Sequence, residues 1–325
     1  RYVERTEAQA RLLRVIGNLL INESDDSLHQ TVGPFLEQIE PAETPDPETA
    51  EPSAKGAIEF AEAEQLTLAA ALDHENPASL VSNLDHIERA AGKVKELLSI
   101  DTWRRLRGLK HLAVRKDGQN RSVFDDTLAD LIDGALDNLA SFVGNLTDNM
   151  TRTHGWRFLQ VGRRLERGLS TAQLFTSVFS DPAHVGPTQI SALLEWADSS
   201  ITYRRRYLNA LLPERALDLL CFDESNPRSL AFQAASLREL LAALPHVDPV
   251  NRHPIDTCAL RLYSRLGLSN STTLLNHAAE SGTGDPAAFF EAAREDLASL
   301  SVTLEQTYFA HTALAREKQP ETLIA

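Results

Sequence analysis

The stretch Gly155-Trp156-Arg157-Phe158-Leu159-Gln160-Val161-Gly162-Arg163-Arg164-Leu165-Glu166-Arg167 places the tightest limit on what this chain can fold into. At roughly 100° per residue, Phe158, Val161, Leu165, Leu169 and Ala172 fall on one helical face, with Gly162 beside them. The opposite face gathers Trp156, Arg163, Arg167 and Leu174, flanked by Arg157 and Arg164. A solvated face interleaves acids with bases at i,i+4, yet here arginine repeats at that spacing with Glu166 as the one acid. Like charges so placed repel by a few tenths of a kcal/mol unless something anionic meets them. The pattern predicts a helix over 155–179 with partners all round it. An arginine-rich surface helix is the plainer alternative.

The remaining chain supports a helical context. In 325 residues there are only 15 Gly and 15 Pro, and the good helix formers Ala, Leu, Glu and Arg abound. No run alternates with a strand period, and no internal repeat is evident. The formal charge of −14 argues against a general nucleic-acid binder and against attraction to an anionic membrane. Positive charge is nevertheless concentrated, with five Arg against one Glu over residues 152–167, and Tyr203-Arg204-Arg205-Arg206-Tyr207 further on. Cys221 and Cys258 are far apart and lack metal-ligand spacing, so neither a disulfide framework nor a zinc site is indicated. No apolar run reaches membrane-spanning length and no signal peptide is visible, which makes a bacterial-type cytoplasmic protein the default. Met150 is the only methionine and Arg1 opens inside a helical pattern, so a truncated N-terminus is expected.

In chain order, a helix is expected over 1–22. Residues 15–54 hold nine acids and no Lys or Arg, and Pro41, Pro45, Pro47 and Pro52 make 41–56 an acidic, proline-rich loop. A helix over 57–73 precedes Asn76-Pro77, read as a cap and first residue of a helix reaching Leu98. Asp101 caps a short helix, and 124–150 and 155–179 are long ones. Helices over 190–212 and 213–222 lead to Asn226-Pro227, read as a second cap opening a helix to about residue 244. Pro245, Pro249 and Pro254 suggest a connector over 245–256, before two or three last helices. The fold class is therefore all-α, a single large helical bundle of about ten helices forming one domain over 1–325.

The chain shows no glycine-rich phosphate loop, no His-Glu-x-x-His, no Gly-x-Ser-x-Gly and no Cys-x-x-Cys, so no cofactor or metal is implied. What remains is arginine with acids and aromatics on helices. Arg157, Arg163, Arg167, Arg204, Arg205, Arg206 and Arg228 are candidates for a shared anion-binding cavity, since guanidinium groups clasp carboxylate or phosphate bidentately. Trp156 and Tyr203 could line it by stacking. Glu4, Glu7 and Glu166 are the candidate general bases. The competing reading is a structural ion-pair network in which Glu4, Glu7, Glu195 and Asp198 take up the arginines.

Four motifs in fixed order give the chain a family resemblance over nearly its whole length. They are Arg1-Tyr2-Val3-Glu4-Arg5-Thr6-Glu7 with Ala10-Arg11-Leu12-Leu13, and Thr151-Arg152-Thr153-His154-Gly155-Trp156-Arg157-Phe158-Leu159 continuing into Gly162-Arg163-Arg164-Leu165-Glu166-Arg167. Asp198-Ser199-Ser200-Ile201-Thr202-Tyr203-Arg204-Arg205-Arg206-Tyr207 and Asn226-Pro227-Arg228-Ser229-Leu230-Ala231-Phe232-Gln233 complete the set. With these the sequence resembles the bacterial alpha-E family, which is helical. The resemblance implies a circularly permuted ATP-grasp protein or domain as partner, a transglutaminase-like protease nearby, and a setting of peptide or amide ligation with a peptide or carboxylate ligand. It implies an accessory or substrate-presenting domain. An enzyme using a Glu general base and a purely structural scaffold are the alternatives. The chain departs from the family pattern in three ways: helix before Arg1 is absent, Lys95-Glu96 stands where an Arg-Asp pair is usual, and the acidic insertion is longer.

Overall fold

The computed structural model describes residues 1–22, 25–39, 59–114, 122, 126–245, 249–280 and 285–309. The acidic loop expected over 41–56 lies outside the described residues. Among the described residues there are fourteen α-helices and no strand, which is the all-α class expected with more, shorter helices than the ten read from the sequence. The chain clusters into two compact units, Arg1–Arg152 with Ser177–Ala216 and Thr153–Thr176 with Leu217–Ala325.

In the first unit, helix α1 (Tyr2–Asn22) is the hub, bordered by α2 (Asp25–Leu36), α3 (Phe60–Leu72), α4 (Leu80–Gly92) and α6 (Asp126–Asn149). Its apolar positions Leu12, Leu13, Val15, Ile16, Leu19 and Leu20 are all buried. Because apolar residues point in several directions, the helix needs neighbours on several sides. Helix α5 (Ile100–Val114) pairs along α6. Beyond the intervening α7 (His154–Val178), the unit is completed by α8 (Pro187–Trp196) and α9 (Ser200–Tyr207). Helix α8 packs on α1, where the Trp196 indole donates to the Ala8 carbonyl at 3.1 Å.

The short α10 (Pro213–Leu217) closes the first unit, and in the second unit the greater part of α7 is followed by a π turn over Asp218–Phe222, α11 (Leu230–Ala242), α12 (Pro249–Gly267), α13 (Ser271–Glu280) and α14 (Pro286–Tyr308). The α7 boundaries fall within a residue of the expected 155–179. Helix α7 lies against α14, where Phe175 meets Phe290 edge to face at 5.2 Å. At Gly168 an added Cβ would stand 3.0 Å from a Leu297 methyl carbon, so glycine permits this close approach. Between α12 and α14, Arg265 donates from Nε to Asp296, 2.9 Å away and only 3% exposed, and Arg261 stands 3.5 Å off. Sequence reasoning had not marked Asp296. Such a carboxylate is tolerable because two guanidinium groups meet it.

Two proline readings change. The segment taken as a connector over 245–256 is helical from Pro249, because Pro249 stands at the first helical position and needs no donor there. Pro254 supplies no amide to the carbonyl four residues back, and that carbonyl belongs to the exposed Val250 rather than to a core residue. Helix α2 likewise contains Pro34, whose missing N–H leaves the Gln30 carbonyl without its helical donor. The buried Gln189 of α8 supplies the donor, its Nε2 lying 3.3 Å from Gln30 O and 3.2 Å from His184 O. Its Oε1 accepts from Gly186 N at 2.9 Å, so one amide serves three backbone groups. Gln189→Ala is expected to lower stability by about 1–3 kcal/mol through unpaired backbone groups. Urea unfolding would show this as a lower midpoint at unchanged slope.

Candidate functional site

In the first unit the polar side of α1 is a stripe of Glu4, Glu7, Arg11, Arg14 and Asn18, spaced by three or four residues. Glu4 is 3% exposed. Glu7 accepts from Arg11 Nε at 3.1 Å, and Arg11 Nη2 also stands 3.4 Å from Asp198. Arg14 lies 3.6 Å from Asp133 and 3.8 Å from Glu195, while Asn18 donates to Glu195 at 2.9 Å. Glu7, Glu195 and Asp198, which the sequence set against the candidate arginines, thus meet Arg11 and Arg14, residues of α1 itself. These pairs tie α1 to α6 and α8 and to the α8–α9 junction.

The junction is shaped by Asp198, whose φ of 52° closes α8 in the left-handed conformation. Ser199 N reaches back to Leu194 O at 2.8 Å, as the helix-ending motif requires. Helix α9 ends at Leu208, exposed and held at a φ of 62°, a conformation that costs a bulky residue about 1–3 kcal/mol. The Tyr203 ring is fully buried, and its hydroxyl donates to Ala210 O at 2.8 Å and accepts from Leu212 N at 3.0 Å. Tyr203 therefore clamps the loop after α9. Arg204, Arg205 and Arg206 are exposed along α9, with Arg206 and Arg215 over the Tyr207 ring at 6.0 and 5.9 Å. Arg204 borders a cavity of about 270 Å³ with Tyr203, Ser200 and Asn209. A second cavity of about 280 Å³, beside Pro34, is lined by His29, Glu37, Asp181 and His184. Neither is lined by Glu4 or Glu7.

In the second unit Glu166 is 4% exposed, and Trp156, Arg157, Arg163, Arg164 and Arg167 are half-buried along α7. Arg157 Nη1 pairs with His154 Nδ1 at 3.2 Å within the first turn. Arg164 Nη1 donates to Gln233 at 3.3 Å and its guanidinium covers the Phe232 ring at 5.0 Å. Arg167 Nη1 lies 3.4 Å from the carbonyl of Pro227, the residue before Arg228. Arg164 and Arg167 of α7 thus reach the segment running from Pro227 to Gln233, which carries the half-buried Arg228.

That segment is set by its own side chains. Asn226 does not cap α11 as expected. It forms a turn in which its Oδ1 accepts from Arg228 N at 3.1 Å, and the cap is Ser229, whose Oγ accepts from Phe232 N at 3.0 Å. Asn226 Nδ2 holds Leu219 O at 2.9 Å, and the fully buried Gln233 holds Pro227 O at 2.9 Å and Ser229 O at 2.8 Å. Arg164 and Gln233 were not singled out as site residues. The signal that could have found them is the seven-residue spacing that repeats Arg157 as Arg164, together with an amide inside an otherwise apolar run.

Burial, then the neighbouring Asp218 carboxylate, push the Cys221 thiol well above its ordinary value. It stays protonated at neutral pH and serves packing rather than nucleophilic chemistry. Alkylation with iodoacetamide at pH 8 should spare Cys221 in the folded protein and reach it in urea. Tyr203→Phe is expected to cost about 1–2 kcal/mol by removing both loop bonds, seen as a lower thermal midpoint with helical circular dichroism intact.

Among the described residues no helix is long and apolar enough to cross a membrane, and no group of three or more His, Cys, Asp or Glu could hold a metal ion. A family model described as alpha-E, "a predicted alpha-helical domain with a conserved ER motif", matches residues 1–309. Uncharacterized proteins of Mycobacterium bovis and of two Mycobacterium tuberculosis strains are each 30% identical over 253 residues, covering 75% of this chain. The match spans only 29% of the length of each of those relatives. No solved structure matches the chain.

Proposed function

The chain belongs to the alpha-E family, and on that premise we propose that it is an accessory, substrate-presenting helical domain of a peptide- or amide-ligating system. Its partner is a circularly permuted ATP-grasp protein or domain, with a transglutaminase-like protease acting nearby. The ligand is a carboxylate or phosphorylated group of a peptide, received in the second unit by Arg157, Arg163, Arg167 and Arg228. The observation that carries this reading is the accumulation of half-buried arginine along one helix of a chain whose net charge is −14. The Arg167 guanidinium, already lying against the Pro227 carbonyl, loses little rotamer entropy on binding an oxyanion. Relatives several times longer than the matched segment suit a module that works joined to other domains. Burial of Glu4 and Glu166 favours presentation over general-base catalysis, because a base must reach its proton.

The test is reconstitution of the chain with its ATP-grasp partner, reading ATP hydrolysis against pools of amino acids and peptides. The native chain should raise turnover of the partner, and Arg167→Ala should reduce that stimulation at least tenfold, as expected for loss of about 1.4 kcal/mol or more of binding. The control is Arg238→Ala, which removes an exposed guanidinium lying over the Tyr263 ring at 4.2 Å and should leave the stimulation unchanged. Equal stimulation by wild type and Arg167→Ala would remove the proposed anion site. Product formation by the chain alone would favour the enzyme reading instead.

A further inference from the structure

Two five-residue stretches, Arg1-Tyr2-Val3-Glu4-Arg5 on α1 and Arg163-Arg164-Leu165-Glu166-Arg167 on α7, share both arginines and the glutamate. Their burial runs in parallel. Glu4 and Glu166 are 3% and 4% exposed, and six residues further on Ala10 and Ala172 are both fully buried. Leu13 and Phe175, then Ile16 and Val178, keep the same register in the core.

A second pair of stretches agrees independently. Asp73-His74-Glu75-Asn76-Pro77-Ala78-Ser79-Leu80 and Asp223-Glu224-Ser225-Asn226-Pro227-Arg228-Ser229-Leu230 match at Asp, Asn, Pro, Ser and Leu. The Asp Oδ1 accepts from the amide two residues on at 2.8 Å in both. The Asn Oδ1 does likewise at 2.9 and 3.1 Å. The Ser amide donates to the Asn carbonyl at 3.0 and 2.9 Å, and the Ser Oγ caps the following helix at 3.2 and 3.0 Å. Seven residues after the Asn, the side-chain amides of Asn83 and Gln233 both turn back to a turn carbonyl, one position apart in the alignment: Ala78 at 3.1 Å and Pro227 at 2.9 Å.

Packing repeats the same order. Helix α4 borders α5, which lies along α6, just as α11 borders α12, which lies along α14. The hub helix meets the helix after the turn in each unit. Tyr2 stacks on His86 of α4 at 5.0 Å, and its counterpart Arg164 covers Phe232 of α11 at 5.0 Å. The hub also meets the last long helix, α1 against α6 and α7 against α14.

We infer that the chain is an internal duplication. One unit, made of an Arg-x-x-Glu-Arg helix, an Asp-x-x-Asn-Pro-x-Ser-Leu turn and three further helices, is present twice. Arg1, Glu4 and Arg5 hold in the first copy the places that Arg163, Glu166 and Arg167 hold in the second, so the Glu-Arg motif has two equivalent positions. This corrects the expectation of no internal repeat. The stretch from Glu4 to Asn76 is twelve residues longer than that from Glu166 to Asn226, which defeats a search at fixed period, and the acidic 41–56 segment falls in the longer one.

An experimental structure of the full chain tests the architecture. A single rigid-body superposition should bring α1, α4, α5 and α6 onto α7, α11, α12 and α14 in the same order and direction. Failure to bring more than two helices into register would overturn the duplication. Amide hydrogen exchange on Glu4→Gln and Glu166→Gln tests the equivalence of the residues. As each removes a buried carboxylate, Glu4→Gln should speed exchange at least tenfold over the middle of α1, and Glu166→Gln over the middle of α7. Loosening of one helix by its glutamate with no response of the other helix to its own would refute equivalence. Neither measurement uses a ligand, so both outcomes are independent of the ligase reading.

Discussion

Two glutamates in the middle of helical packing set the terms for everything around them. Glu4 and Glu166 are almost wholly withdrawn from solvent, and a carboxylate so placed is tolerated only where donors and cations meet its charge. Both make polar interactions, and each is followed directly by arginine. Meeting the carboxylate requires the helix to have neighbours on its polar side as well as its apolar one. Helix α1 meets that requirement, being bordered by helices on several sides.

Helices and their class were legible because apolar periodicity and the scarcity of Gly and Pro act locally. The helices expected over 1–22, 124–150 and 155–179 were placed within a few residues, whereas the one expected over 190–212 is two, α8 and α9, parted where Asp198 turns left-handed. Helix starts were harder. Asn76-Pro77 and Asn226-Pro227 look like a cap followed by a first helical residue, yet each opens a turn whose last residue, Ser79 or Ser229, is the true cap. The difference lies in which amide the Asn side chain chooses, and composition does not reveal that. Pro254 misled for a related reason: proline is read as a breaker, while one missing donor near an exposed helix start is tolerable.

The candidate site was legible in its charges and not in its neutral residues. Arginine excess drew attention to Arg163, Arg167 and Arg228, but the segment that Arg164 and Arg167 reach is shaped by Gln233 and Asn226, whose amides hold backbone carbonyls. A neutral amide in a sequence has no visible partner until the fold supplies one. Tyr203 shows the reverse. An aromatic beside three arginines suggests ligand stacking, whereas its ring is core and its hydroxyl closes a loop.

A duplicated unit lets the two copies divide their duties, and the places where they differ show how. At the position after the first motif arginine, the first copy has Tyr2 against an imidazole and the second has Arg164 against a phenyl ring. Inside the turn, the first copy has Ala78 and the second Arg228. Both exchanges add a guanidinium to the second copy, while the shared Asp, Asn, Pro, Ser and Leu keep the turn unchanged. Positive charge thus stands at two added points on a frame already rigid by its own hydrogen bonds. In the first copy the same helix face of α1 holds neighbours, with Glu7 paired to Arg11, Arg11 reaching Asp198 and Asn18 donating to Glu195 of α8. On the proposed reading, an oxyanion site could then change in the second copy while the first keeps its packing.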